Sequence, residues 1–159
     1  MERIIAAVLL LVSSAGVVAQ EGVLSMESPY SVQETADRLE KAIQANGMKI
    51  FARVDHAAGA ESVGMELPPT QLFIFGNPEV GTQLMECKQS VALELPMKML
   101  VTEENAVVTV AYNDMQYVAD RYEIEGCDRI VTKIAGALNS LAEEAVEEPV
   151  ESPEQGAPQ

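Results

Sequence analysis

The sequence predicts an α+β domain of two layers, a mainly antiparallel sheet with helices packed on one face. Three observations carry that expectation. Apolar residues recur at helical spacing in Val32, Ala36, Leu39 and Ile43, and again in Val131, Ile134, Leu138 and Leu141. Between these stretches lie segments of strand character, with Met48, Ile50, Ala52 and Val54 alternating with Lys49, Phe51, Arg53 and Asp55. Near the middle of the chain, "AVVTVAY" folds back on the preceding strand across the turn Glu103-Glu104-Asn105, the pattern of a hairpin.

The elements follow in order. Ser31-Val32-Gln33-Glu34 is a capping box in which Ser31 accepts from the first turn and Glu34 reaches back. It opens a helix from Val32 to Ala45 that Asn46-Gly47 ends. A half-buried strand then runs through Val54, with His56 just past its end. The small-residue loop "AAGAESVG" and Pro68-Pro69 lead into a second strand, "QLFIF".

The stretch "IFGNPEVGTQLMEC" that follows has two glycines at phosphate-loop spacing, Gly76 and Gly81. Thr82-Gln83 stands where such a loop needs its lysine and hydroxyl, so the phosphate reading fails. Asn77 is instead a good N-cap, with Pro78 at the first helical position. Val80, Leu84 and Cys87 fall on one side of the short helix so begun. "VALELPMKMLVT" reads as a strand whose Pro96 suggests a bulge or a sheet edge, and such an edge is open to a peptide by strand addition. Asn113-Asp114 caps a short helix through Tyr122, and a last helix runs from Asp128 to Leu141 with Asp128 near its positive end.

Composition bounds the organisation. The chain has 159 residues, 48% of them hydrophobic, enough for one modest domain with a core. A formal net charge of -15 argues against nucleic acid or an anionic membrane as partner, since both require clustered bases. Residues 1–19 read as a signal peptide: Arg3 supplies a base, Ile4 to Val12 is an apolar run too short to span a bilayer, and Val17-Val18-Ala19 offers a cleavage site. Its removal takes away Glu2 and Arg3 and leaves the charge at -15. The expected mature protein is periplasmic or secreted and free of the membrane. Residues 20–27 are expected to be a lead-in, 28–142 the folded domain, and 143–159 a disordered acidic tail, because its Glu- and Pro-rich run has too little apolar surface to order.

The two cysteines, Cys87 and Cys127, lie on the apolar sides of helices that should cover one sheet face. In an oxidising compartment that placement favours a disulfide, and closing its loop of 40 residues would constrain the unfolded chain by about 4 kcal/mol. Buried free thiols and a catalytic thiol are the other two readings. No Cys-x-x-Cys spacing or flanking base marks a reactive thiolate.

"ETADRLEKAIQANGMKIFARVDHAAGA", "LFIFGNPEVGTQLM", "ALELPMKMLV" and "VTVAYND" also carry a resemblance. Together they resemble the family catalogued as domain of unknown function 302, over nearly all of residues 28–142. The resemblance implies an α+β fold similar to the TATA-box-binding-protein topology, and it implies no activity. One departure is Glu94, where the family pattern commonly has Asp before Leu-Pro.

Among functions, a non-catalytic module binding a small molecule or a protein partner is the leading expectation, with no cofactor. His56, Asn77, Lys98, Tyr112 and Asn113 come from strand ends and turns, where polar groups can converge on a cleft. Lys98 and Tyr112, on adjacent hairpin strands, could together hold an anion. An unrecognised hydrolase or thiol enzyme is the alternative, with Ser62 or Ser90 and the single histidine as formal triad members but no nucleophile elbow. A copper site using His56, Met97 and Met99 is a further alternative, on the softness of thioether ligands.

Overall fold

Five strands form one antiparallel sheet in the order β1-β5-β4-β3-β2. The computed structural model describes residues 20–148; the expected signal peptide and the tail beyond Glu148 lie outside the described residues. The strands are β1 (Val23–Ser28), β2 (Lys49–Asp55), β3 (Thr70–Gly76), β4 (Met97–Glu104) and β5 (Val107–Asn113). The helices are α1 (Val32–Ala45), α2 (His56–Glu61), α3 (Pro78–Cys87), α4 (Met115–Arg121) and α5 (Asp128–Val146).

Alternation along the strands decides which residues meet the helices. Phe73 pairs with Met99, Met99 with Tyr112 and Tyr112 with Leu24, a row that crosses the sheet on one face. Phe73, Met99 and Tyr112 are buried there, beneath Ala36, Leu39 and Ile43 of α1 and Ile134, Leu138 and Leu141 of α5. The α+β two-layer architecture read from the sequence is thus the architecture of the chain.

The N-cap side chains accept as the sequence implies, though among the described residues the return bond expected from Glu34 to the Ser31 amide is not made. Ser31 accepts from the Glu34 amide at 3.2 Å, Asn77 from Glu79 at 2.9 Å, and Asp114 from Gln116 at 2.9 Å. Each satisfies a first-turn N–H that has no partner inside its helix. Asp55 does the same for Ala58 at 2.9 Å, and this unforeseen cap turns part of the expected loop after β2 into α2.

Other boundaries depart from the sequence reading for identifiable reasons. The expected lead-in, residues 20–27, holds most of β1, because its only requirement is a free edge on β5. Gly22, at φ +77, allows the entry, since a Cβ there would collide with the Tyr117 ring. Pro96 does not mark an edge. It sits one residue before β4, which occupies the middle of the sheet, so no ladder N–H is lost. Much of the preceding "VALEL" is a short 3₁₀ turn, Gln89–Leu93, and the strand-addition edge expected at Pro96 is not there.

At the far end, α5 runs to Val146 and takes in the start of the acidic tail. Arg38 explains why. Its guanidinium donates to the carbonyls of Ala145 at 2.8 Å and Glu144 at 3.3 Å while stacking on Tyr30, whose hydroxyl donates to the Glu147 carbonyl. A cation on the last carbonyls opposes the negative end of the helix dipole.

A second guanidinium joins α1 to the sheet. Arg53 on β2 donates to Asp37 at 2.8 Å, Glu40 at 2.6 Å and the buried Gln71 at 2.8 Å, and it stacks over Phe73. Gln33 bonds both Asp37 and Gln71, closing the network. The Gln33 hydrogen bond and then the Arg53 guanidinium hold the Asp37 carboxyl below its usual 3.8.

Two outcomes are expected. Arg38→Met should cost about 1 kcal/mol and speed amide exchange in the last turn of α5 while leaving the strands protected. For Asp37, whose folded pKa is depressed, the stabilisation is complete above the unfolded value and is lost as pH falls through the folded one. Its carboxyl carbon should therefore titrate below 3.8 by NMR and move back up in Arg53→Met.

Candidate functional site: an apolar cleft beside the third helix

The sites expected from sequence separate into opposite ends and faces of the sheet. β2 and β3 pair so that Asp55 meets Gln71 while Lys49 meets Gly76. His56 therefore leaves one end of this pair and Asn77 the other, about 20 Å apart at strand rise. His56 is exposed as the first residue of α2. Met99 is fully buried and Met97 lies toward the Asn77 end, so the His56, Met97 and Met99 copper set is not assembled.

Lys98, Tyr112 and Asn113 do lie at the Asn77 end, but not as one group. Lys98 precedes Met99 on β4, so it points away from the helix-covered face that holds Tyr112. The two cannot clasp one anion. Lys98 instead donates to the carbonyls of Glu94 at 3.2 Å and Pro96 at 3.3 Å. The Glu94 carboxylate accepts from Tyr122 at 2.9 Å and Asn113 at 3.5 Å and pairs with Arg121 at 3.5 Å, which fastens the 3₁₀ turn to α4 and β5. The hydrogen bond to Glu94 raises the Tyr122 phenol. Tyr112 donates weakly to Asn139 at 3.4 Å, and burial, with Glu143 and Asp114 nearby, pushes its phenol up. These are fastening contacts within the fold.

Asn77 leads to a different feature. Between α3, α5 and the end of the sheet lies a cleft of about 490 Å³, within the size of small-molecule sites. Val80, Gly81, Thr82 and Met85 of α3 form one wall, and Lys133, Ile134, Ala137 and Leu138 of α5 form another. Phe75 and Met97 bring the sheet to it, Leu95 and Pro96 close it from the loop before β4, and Met48 and Phe51 come from β2 and its approach. The cleft is predominantly apolar. Among the described residues Lys133 is its one charged lining residue, and Asn46, Asn77 and Thr82 are its other polar side chains.

Sequence reasoning reached Asn77, Met85 and Met97 but missed Lys133, Ala137 and Met48. A signal existed only for the helices: Ala137 lies one turn past Lys133, beside the buried stripe of Ile134 and Leu138. That this flank faces a gap depends on where α3 stops, which periodicity does not reveal.

The outer wall is pinned at both ends. Its start is set by the Asn77 cap and Pro78, and its end by Cys87, which is bonded to Cys127 at the N-cap of α5 with a Cα–Cα distance of 6.4 Å. Between the pins α3 fully buries only Leu84. With both cysteines bonded, neither is a free thiolate.

Fold and cleft together define an α+β domain with an apolar recess at one sheet end. The chain belongs to the family "Domain of unknown function DUF302", whose model matches residues 24–141. A solved relative, the crystal structure of an uncharacterized conserved DUF302 protein from Bacillus stearothermophilus, superposes with a TM-score of 0.72 over 79% of this chain and 99% of that one, at 16% identity. Among curated proteins, the chain is 41% identical over 108 residues to fluoride-specific ion channel FluC 1 of Brucella suis and, equally, to FluC 1 of Brucella abortus. The match covers 67% of this chain but only 42% and 40% of those proteins. Among the described residues, no helix is long and apolar enough to cross a membrane.

Replacing both cysteines by serine should lower unfolding free energy by about 4 kcal/mol, from release of a loop with sequence separation 40. Denaturant titration of the oxidised chain against the double variant measures it directly.

Proposed function

We propose that this domain is a binding module that encloses a small, largely apolar molecule in the cleft between α3 and α5. The observation that supports it is the cleft itself: about 490 Å³, mainly apolar, with few polar side chains. Sites of that size and lining draw affinity from burial and orientation from sparse polar contacts. Phe75 at the sheet end is fully buried, while Asn77 and Thr82 are exposed, so the recess grades from a dry floor to a wet mouth.

The channel activity in the name of the Brucella relatives is assigned, in this reading, to the part of those proteins that this chain does not match. The matched part supplies a binding module. An exported location accords with the Cys87–Cys127 bond and with the short apolar run from Ile4 to Val12.

Filling the recess tests the proposal. Ala137→Phe places a ring against the α5 wall, where Ala137 is half-buried rather than in the close-packed core. Anilinonaphthalene sulfonate should fluoresce with the native chain and bind at least about tenfold more weakly to the variant, with circular dichroism unchanged. Equal binding by both would show that the cleft is not where apolar molecules enter.

A further inference from the structure

We infer that the ligand of this cleft is an aliphatic carboxylate, held tail inward with its headgroup beside Lys133. The inference rests on reading the cleft as a binding site and adds the chemical class of its occupant.

Charge gives the head. The chain carries 25 acids against 10 bases, yet among the described residues no acid lines the cleft and one base does. Lys133 is exposed, and the ion pairs among the described residues use Arg53 and Arg121 instead. An anion arriving at this mouth meets an ammonium not already committed to a carboxylate. The surrounding charge of -15 disfavours small free anions, so an anion must bring apolar surface whose burial outweighs that repulsion.

The lining gives the tail. Ile134, Leu138 and Phe75 are buried at the floor, and the described residues contain no buried side-chain nitrogen or oxygen lacking a partner. Nothing there calls for a polar group deep in the ligand. Met48, Met85 and Met97 also line the recess, and flexible thioethers adapt to a chain of indefinite shape better than to a rigid ring system. An unbranched tail with one terminal charge satisfies both halves of the site.

Dodecanoate and dodecanol share a tail and differ in the head, so titrating each into the oxidised chain separates the two claims. Methyl resonances of Met85 and Met97 localise binding, and calorimetry gives affinity. Both molecules should shift those methyls, with dodecanoate binding about fivefold more tightly at low salt, the range of an exposed ion pair. Added salt and Lys133→Met should each erase that preference by weakening the carboxylate alone. If dodecanol binds as well as dodecanoate, or if Lys133→Met leaves the ratio intact, the carboxylate assignment is overturned while the cleft stands. If neither molecule shifts the methyls, the cleft reading falls with it.

Discussion

A helix that fully buries a single side chain is only weakly held by packing, and α3 is such a helix. Leu84 is its one fully buried residue, with Val80 and Met85 only partly buried against the core, so burial contributes about 5 kcal/mol to docking it, less than ordering ten residues costs. Its position is therefore a matter of constraint at the ends. Asn77 and Pro78 fix where it starts, and Cys87, bonded to the residue just before α5, fixes where it finishes. A wall held this way stands off from the core and leaves space behind it. The cleft is the consequence of pinning a helix that packing alone would not seat.

The rest of the molecule makes that space affordable. α1 and α5 lie side by side over the sheet, and the row Phe73, Met99 and Tyr112 is sealed beneath them. Two arginines lock the pair in place, Arg38 through the last carbonyls of α5 and Arg53 through the acids of α1. With few bases in an acidic chain, each is used where several acceptors converge. Lys133 stands apart from these networks, on the cleft wall.

Local chemistry made much of the fold legible in the sequence. Ser31, Asn77 and Asp114 cap the helices they were expected to cap, because a cap is decided by residues within one turn. The helical stripes follow from burial on one face, and the cysteines pair as their placement suggested. The alternation expected along β2 is broken by a register shift between Ile50 and Ala52 that turns Arg53 rather than Val54 toward the helices. What failed depended on distant partners. β1 exists only because β5 offers an edge, β4 is central because β3 and β5 flank it, and α5 is prolonged by an arginine on another helix. The site failed for the same reason: His56 and Asn77 both follow strands, but antiparallel pairing sends them to opposite ends. A cleft is a gap between elements, and a sequence pattern reports the surfaces of elements singly.

The most direct test is amide hydrogen exchange, residue by residue, on the oxidised chain and on the same chain after reduction of the Cys87–Cys127 bond. If the bond is what seats α3, reduction should accelerate exchange from Gly81 to Cys87 well before β3, β4 and β5 lose protection. Equal slowing or equal acceleration across α3 and those strands would contradict it, because α3 would then be held by the core and the cleft would owe nothing to the pins.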